Sequence, residues 1–289
     1  MSTPRNGALP AADVARVLDT ARIPHVVFGW WAIGCHGNEY STKEIDFVVD
    51  SDKISAAANA LVATGHFHRC ADRNCLELKT DRCKSDDNVP GKLYPADVLG
   101  QQMALNNRHA IAQDHLHIGP EYEYFEVISL YAKSHLLWSF PDLTLRPADT
   151  RTYMFTNDAR LPPRTKGGST GPWDTLYPVK IPTHVALVEA LCLLYLRDLG
   201  DFDGIHHAWS AMLGEALGEQ FVDAQLNLNE KTKALRRNIN PRWLPGLDPF
   251  FFPNPPTPFF TGLNRLRATL VQNNELPNIP PHDPSDCPM

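Results

Sequence analysis

Two acidic residues flank a single apolar residue in the stretch EIDFVV, residues 44–49. The apolar residues of this stretch predict a strand, and successive side chains of a strand alternate between its two faces. Glu44 and Asp46 should therefore project from one face, about 7 Å apart along the strand, while Ile45 and Phe47 point into a core. Carboxylates so placed can share a divalent cation. Magnesium usually takes one or two protein carboxylates and completes its shell with water and substrate phosphates.

A glycine precedes this strand at the end of another apolar run, HVVFG, residues 25–29. The run predicts a first strand, and residues 31–36 predict a short helix that begins just after the turn. The N-terminus of a helix offers backbone N–H groups to phosphate, so Gly29 and the adjacent Trp30 are candidates for contact with a nucleotide or another substrate. An acid-apolar-acid strand alone is more often a solvated sheet face, and the neighbouring turn is what favours the functional interpretation.

Three short stretches together resemble the signature of the nucleotidyltransferase superfamily: GWWA at residues 29–32, Thr42, and EIDF at residues 44–47. The resemblance covers about the first half of the chain. It implies a small mixed β-sheet flanked by helices, magnesium held by Glu44 and Asp46, and a substrate contact near Thr42. It also implies a third acid on a later strand.

The sequence departs from the family pattern at two positions beside this signature. Trp30 stands where the family has a small residue that contacts the triphosphate, and Tyr40 stands where many members have an arginine. The first acid is Glu44 rather than the more usual aspartate. A bulky indole beside the phosphate turn could fill the nucleotide pocket, so a member that kept the fold and changed its chemistry is an open alternative.

The third acid has several candidates. Glu126 stands between two apolar residues of a predicted strand at residues 124–128, the arrangement that the family resemblance requires. Asp97 and Asp114 are weaker candidates. Another alignment puts His117, from a predicted strand at residues 114–118, in this position, which would leave the metal site incomplete. We take Glu126 as the third catalytic carboxylate.

The predicted elements alternate between helices and strands, which favours an α+β fold with a nucleotidyltransferase-like mixed sheet flanked by helices and followed by a helical region. Residues 129–140 predict a helix, whose Lys133 could reach a phosphate or lie on the surface. The predicted units are an α+β domain over residues 1–145, a long loop or lid over 146–180, a helical region with a Pro- and aromatic-rich segment over 181–275, and a disordered tail over 276–289.

Composition limits the class of protein. The chain has 289 residues, of which 43% are hydrophobic and 21% charged, values typical of a soluble globular protein. No apolar run approaches the roughly 20 residues of a membrane span, and no signal-peptide core is present, so we expect a cytoplasmic protein without a membrane partner. Six cysteines are too sparse for a disulfide scaffold. The group His66, His68, Cys70, Cys75 and Cys83 lacks a Cys-x-x-Cys pair, which disfavours structural zinc.

The formal net charge of −6 argues against a protein coated for nucleic acid, although one basic stretch stands out. It contains Lys231, Lys233, Arg236, Arg237 and Arg242. At helical spacing several of these cations share a face, where they would meet either solvent or RNA phosphates.

These patterns support three hypotheses. The first is magnesium-dependent transfer of a nucleotidyl group from a nucleoside triphosphate to the hydroxyl of a small or RNA acceptor. The second follows from a weak similarity to the arginine-containing cyclodipeptide synthases, which join aminoacyl groups delivered on tRNA without ATP. In that case Glu44 and Asp46 would bind an arginine guanidinium, and the basic stretch would contact tRNA. The third is a non-catalytic binding module that retains the sheet.

Overall fold

A computed structural model describes residues 8–37, 44–69, 113–119, 127–146, 150–163, 171–198, 205–217 and 257–277. The predictions at Tyr40, Thr42, Cys70, Cys75, Cys83, Asp97 and Glu126 lie outside these residues, as do the basic stretch at 231–242 and most of the tail.

The elements follow one another as α1 Ala8–Thr20, β1 His25–Phe28, α2 Gly29–Cys35, β2 Glu44–Val49, a 3-10 turn Ser51–Lys53, α3 Ile54–Val62, β3 Phe67–Arg69, β4 Asp114–Ile118, β5 Val127–Ala132, α4 Lys133–Leu136, β6 Tyr153–Phe155, β7 Lys180–Pro182, α5 His184–Arg197, α6 Ile205–Ala216 and α7 Thr257–Gln272. None of the described helices combines the length and the apolar character that crossing a membrane requires.

The main sheet has five strands in the order β1-β2-β5-β4-β3. Strand β2 runs parallel to β5, whereas the β1–β2, β4–β5 and β3–β4 pairs are antiparallel. The predicted α+β fold, a mixed sheet flanked by helices, is confirmed. Strands β2 and β5 are buried along their whole length, as expected for a parallel pair that is covered on both faces.

Alternation of side chains divides the core between the two faces of this sheet. Ile45 and Phe47 of β2 lie with Leu130 of β5 in a cluster that includes residues of α1 and α3. Val48 and Tyr131 belong to a second cluster, which includes residues of α5, α6 and α7. The helices near the C-terminus thus cover the same sheet face to which Glu44 and Asp46 belong.

The predicted helix at residues 129–140 is wrong. Strand β5 continues to Ala132, and only Lys133–Leu136 forms a helical turn. The reason is that a central strand buried on both faces is apolar along its whole length, so its sequence lacks the alternation that distinguishes a strand from a buried helix. Pairing with β2 decides between the two structures.

A second sheet lies partly within the segment 146–180 that was predicted as a loop or lid. Strand β6 pairs with β7 in antiparallel register, with Met154 opposite Ile181. Tyr153, Met154 and Trp173 are buried. Part of this segment therefore belongs to the core, and its role as a lid stays a prediction.

A buried ion pair joins the helices near the C-terminus. The Nε and Nη2 atoms of Arg197 donate to the two carboxylate oxygens of Asp198 at 2.7 and 2.8 Å. The indole N–H of Trp209 in α6 donates to Asp198 at 2.7 Å, and Arg197 also donates to the carbonyl of His135 beyond β5. Since each charge is both paired and hydrogen-bonded, this cluster stabilises the packing of α4, α5 and α6.

The substitution Asp198→Asn should lower the free energy of unfolding by about 3–5 kcal/mol, because it leaves the Arg197 guanidinium buried without a counter-charge. The exposed pair Asp158–Arg160, with an N–O distance of 2.7 Å, provides a matched control. Asp158→Asn should lower the free energy of unfolding by no more than about 1 kcal/mol, since water solvates the charge that remains on Arg160. Urea unfolding followed by circular dichroism measures both, and equal losses would contradict this account.

The buried imidazole of His36, directly after α2, lies beside the partly buried imidazole of His184 at the start of α5. The centroids of the His36 and His184 rings are 5.3 Å apart. The Nε2–H of His36 donates to the carbonyl of Pro182 at 3.0 Å, and that of His184 to the carbonyl of Ala216 at 2.8 Å. Burial lowers the pKa of His36 to about 3 and also lowers the pKa of His184.

These shifts predict a loss of stability in acid. Below about pH 6.5 the unfolded chain protonates His36, whereas the folded protein resists protonation until about pH 3. Stability should therefore be fully present above pH 6.5 and fall as the pH drops through this window. In His36→Gln the slope of unfolding free energy against pH should be shallower by up to about 1.4 kcal/mol per unit. Urea titrations at several pH values measure this slope, and substitution of the exposed His66 by Gln is the control. An unchanged slope in His36→Gln would show that His36 does not cause the loss of stability in acid.

Candidate functional site: a carboxylate pair on the central strand

Glu44 and Asp46 lie on one face of β2, as the sequence predicts. They are 7% and 2% exposed. The intervening Ile45 lies in the opposite cluster together with Phe47, so the apolar residues hold the strand in the register that directs both acids to the other side. Two carboxylates in such a position are costly to bury unless cations or hydrogen-bond donors accompany them.

Ser129 of β5 contributes one such donor. It stands opposite Asp46 in the parallel register, and its hydroxyl donates to Oε1 of Glu44 at 2.8 Å. Ser129 is fully buried. Ser129 was not predicted as a site residue, because residues 129–140 were predicted to form a helix. The available signal was a single hydroxyl in an otherwise apolar buried run, because a buried polar group requires a partner.

Two histidines extend the polar face onto β4. His115 stands opposite Ser129 and His117 stands opposite Val127, which itself faces Glu44. The centroids of the two imidazole rings are 5.2 Å apart in an edge-to-face arrangement. His117 was the alternative to a third acid; it lies on the second strand from β2, and its role stays a prediction.

Three candidates for the third acid remain, of which Asp114 lies within the described residues and Asp97 and Glu126 do not. Asp114 stands opposite Leu130, on the face away from Glu44, and its carboxylate pairs with Arg69 at 2.9 Å. Glu126 immediately precedes β5 and lies outside the described residues, so its role stays a prediction.

The Gly29 turn lies beside the carboxylates. Strand β1 is antiparallel to β2 and its last residue, Phe28, stands opposite Asp46, so α2 begins at this end of the sheet. Gly29 has a φ of 72°, a left-handed conformation that favours glycine. The side chain of Trp30 is almost fully buried in the cluster that contains Phe28 and Tyr131, so the indole contributes to the core; its contact with a substrate stays a prediction.

Lys133 is not brought to this site. It follows the last residue of β5, which stands opposite Val49, and so lies at the end of β2 remote from Glu44. Its ammonium nitrogen is 3.9 Å from a carboxylate oxygen of Asp142. A substrate contact by Lys133 stays a prediction.

The donor set limits the ligands that this site fits to cations. Glu44, Asp46 and the Ser129 hydroxyl present oxygen atoms, and hard divalent cations such as magnesium prefer oxygen. Within the described ranges no group of three His, Cys, Asp or Glu side chains is placed to hold a metal ion. The residues therefore fit a cation held by two protein carboxylates. They fit a planar guanidinium equally well, since carboxylates match its fork of donors.

Comparison with known proteins gives little further guidance. No family model matches the sequence, and no curated protein matches it significantly. One solved structure, that of the antibiotic-resistance factor ANT(2'')-Ia, aligns over 94% of this chain and 95% of its own. ANT(2'')-Ia is an aminoglycoside nucleotidyltransferase with substrate-regulated conformational dynamics. The two sequences are 10% identical and the TM-score is 0.36, which is too low to support an assignment. The fold and the site define an α+β protein with a buried carboxylate pair on a mixed sheet.

Replacement of Ser129 by Ala should lower the free energy of unfolding by about 1–3 kcal/mol, because it removes a buried donor to Glu44. Ser134→Ala is the control, since its hydroxyl makes an exposed hydrogen bond to Ser51 at 2.8 Å. Ser134→Ala should change the free energy of unfolding by no more than about 0.5 kcal/mol. Chemical unfolding compares the two variants, and an equal effect would show that the Ser129–Glu44 bond does not stabilise the site.

Proposed function

We propose that this protein is a transferase that acts on a nucleoside triphosphate at the carboxylate pair of β2. The observation that carries the proposal is the placement of Glu44 and Asp46 on one sheet face directly beside the Gly29 turn. A carboxylate pair and a backbone turn that opens a helix are the two parts that binding a metal-complexed triphosphate requires.

Each part has a separate role in the proposed reaction. Glu44 and Asp46 would hold magnesium, which neutralises the charge of the triphosphate when it is bound. Ser129 orients Glu44 through its hydrogen bond, and backbone N–H groups after Gly29 would contact phosphate oxygens. An acceptor hydroxyl would then attack the α-phosphate in line, and pyrophosphate would leave. The acceptor is a small molecule or an RNA end.

Titration calorimetry with ATP, CTP, GTP and UTP in the presence of magnesium tests the proposal. We expect at least one nucleotide to bind the native protein, and Asp46→Asn to weaken its binding by about tenfold or more, because one charged ligand is lost.

The exposed Asp52 beyond the opposite end of β2 supplies the control, and Asp52→Asn should bind like the native protein. Failure of all four nucleotides to bind, or equal weakening by the two substitutions, would rule out the nucleotide reaction at this site.

The near-complete burial of both carboxylates favours a second candidate. Magnesium usually keeps several water ligands, whereas a guanidinium needs only carboxylate oxygens in its plane. In this candidate the pair binds the arginyl group of an aminoacyl-tRNA, and the protein forms a peptide bond as the arginine-containing cyclodipeptide synthases do. The basic stretch at 231–242 would contact tRNA phosphates.

Incubation with arginyl-tRNA and a second aminoacyl-tRNA, followed by mass spectrometry, separates the two candidates. The second predicts a cyclic dipeptide that contains arginine, and its loss in Glu44→Gln, since the neutral amide no longer pairs with the guanidinium. A product that persists in Glu44→Gln would place arginine recognition elsewhere. Absence of both nucleotide binding and dipeptide formation would favour a non-catalytic module.

A further inference from the structure

The polar face of the main sheet continues past the carboxylate pair onto β4. Along one row, Glu44 of β2 stands opposite Val127 of β5, and Val127 stands opposite His117 of β4. Residues that stand directly opposite one another on neighbouring strands share a face of the sheet. Because neighbouring strands lie about 4.8 Å apart, the backbones at Glu44 and His117 are separated by about 10 Å. His117 therefore lies on the same face as the carboxylates, two strands away.

The Gly29 turn and His117 flank β2 on opposite sides. The strand order β1-β2-β5-β4 puts the turn that follows β1 on one side of the carboxylates and His117 on the other. In the proposed reaction the phosphates beyond the α-phosphate contact the turn, so pyrophosphate leaves toward β1. An in-line displacement brings the attacking oxygen to the side of the phosphorus opposite the leaving group. The acceptor hydroxyl therefore enters over β5 and β4.

Among the described residues on this flank, His117 is the best placed to receive a proton. Val127 is apolar, and the Ser129 hydroxyl already donates to Glu44. His115 is 4% exposed, whereas His117 is only partly buried, so a substrate reaches His117 more readily. An imidazole has two ring nitrogens, so one can hold an orienting partner while the other accepts a proton. Histidine is also the side chain that most often serves as a general base.

We propose that His117 is the general base that activates the acceptor hydroxyl. The hydroxyl proton moves to a ring nitrogen of His117 as the acceptor oxygen forms a bond to the α-phosphorus. The bond from that phosphorus to the oxygen that bridges to the β-phosphate breaks, and its electron pair leaves with pyrophosphate. The imidazolium then releases its proton to solvent. This role rests on the nucleotide reaction proposed at Glu44 and Asp46, and it locates the acceptor site over β5 and β4.

A measurement without turnover tests the position of His117. A nucleotide that binds with magnesium in calorimetry is replaced by its unreactive analogue, which has a methylene bridge between the α- and β-phosphates. The analogue is added to the full chain that carries isotope-labelled histidine, and NMR follows the imidazole signals, which the variants His117→Gln and His68→Gln assign. His68 is the matched control, because it stands opposite His117 one strand further from Glu44 and is exposed.

We expect the bound analogue to shift the His117 signal, because the ring lies beside the α-phosphate, and to leave the His68 signal unchanged. A His117 signal that does not move when the analogue binds overturns the proposed role.

A second measurement uses water in place of the acceptor and follows the formation of nucleoside monophosphate and pyrophosphate. His117→Gln should lower this rate by about 100-fold or more, which is the contribution typical of a general base. Its dissociation constant for the nucleotide should stay within about twofold of the native value, since the base acts on the chemical step. His68→Gln should match the native protein in both quantities. Circular dichroism verifies that both variants fold.

The outcomes separate this role from the nucleotide reaction on which it rests. Equal rates in His117→Gln and His68→Gln overturn the role of His117 and leave nucleotide binding at the carboxylate pair intact. A native protein that binds a nucleotide and forms no monophosphate has the same consequence, because a base beside the reacting phosphorus should activate water. Failure of every nucleotide to bind overturns both.

Discussion

The parallel pairing of β2 with β5 is the constraint on which the rest of the structure depends. Because Glu44 stands opposite Val127 and Asp46 opposite Ser129, one register decides which side chains enter each core. A shift by one residue would bury the carboxylates among α1 and α3 and expose Phe47 to the polar face. The same register brings the Ser129 hydroxyl within 2.8 Å of Glu44.

The polar face of the sheet is enclosed rather than open. Its strands carry acids, a serine and histidines at one end, and the remainder of that face packs against α5, α6 and α7. At the end of α5, Asp198 accepts a hydrogen bond from Trp209 of α6, and the carbonyl of Arg197 accepts one from Arg267 of α7. The Arg197–Asp198 pair is itself buried, and charges that are well paired tolerate such burial. The carboxylates of β2 therefore lie in a region of low dielectric constant, where a cationic ligand is held more strongly than at a surface.

The sequence predicted the parts of the site that depend on local pattern. The extent of β1, β2 and β4 and the side on which Glu44 and Asp46 lie follow from short runs with clear boundaries. The predicted strand at residues 124–128 included only the first two residues of β5, because a strand buried on both faces has no alternation, and Ser129 was missed as a result. The pairing of β6 with β7 was also hidden, since three-residue strands within a Pro-rich segment depend on contacts distant in sequence.

Both candidate reactions require the carboxylate pair to bind a cation. Thermal unfolding of the native protein and of Glu44→Gln, each titrated separately with magnesium and with L-arginine amide, tests this requirement most directly. Preferential binding to the folded state raises the midpoint of unfolding. The account predicts that at least one of the two cations raises the midpoint of the native protein and that Glu44→Gln abolishes the increase. An unchanged midpoint with both cations, or an equal increase in the variant, would contradict it.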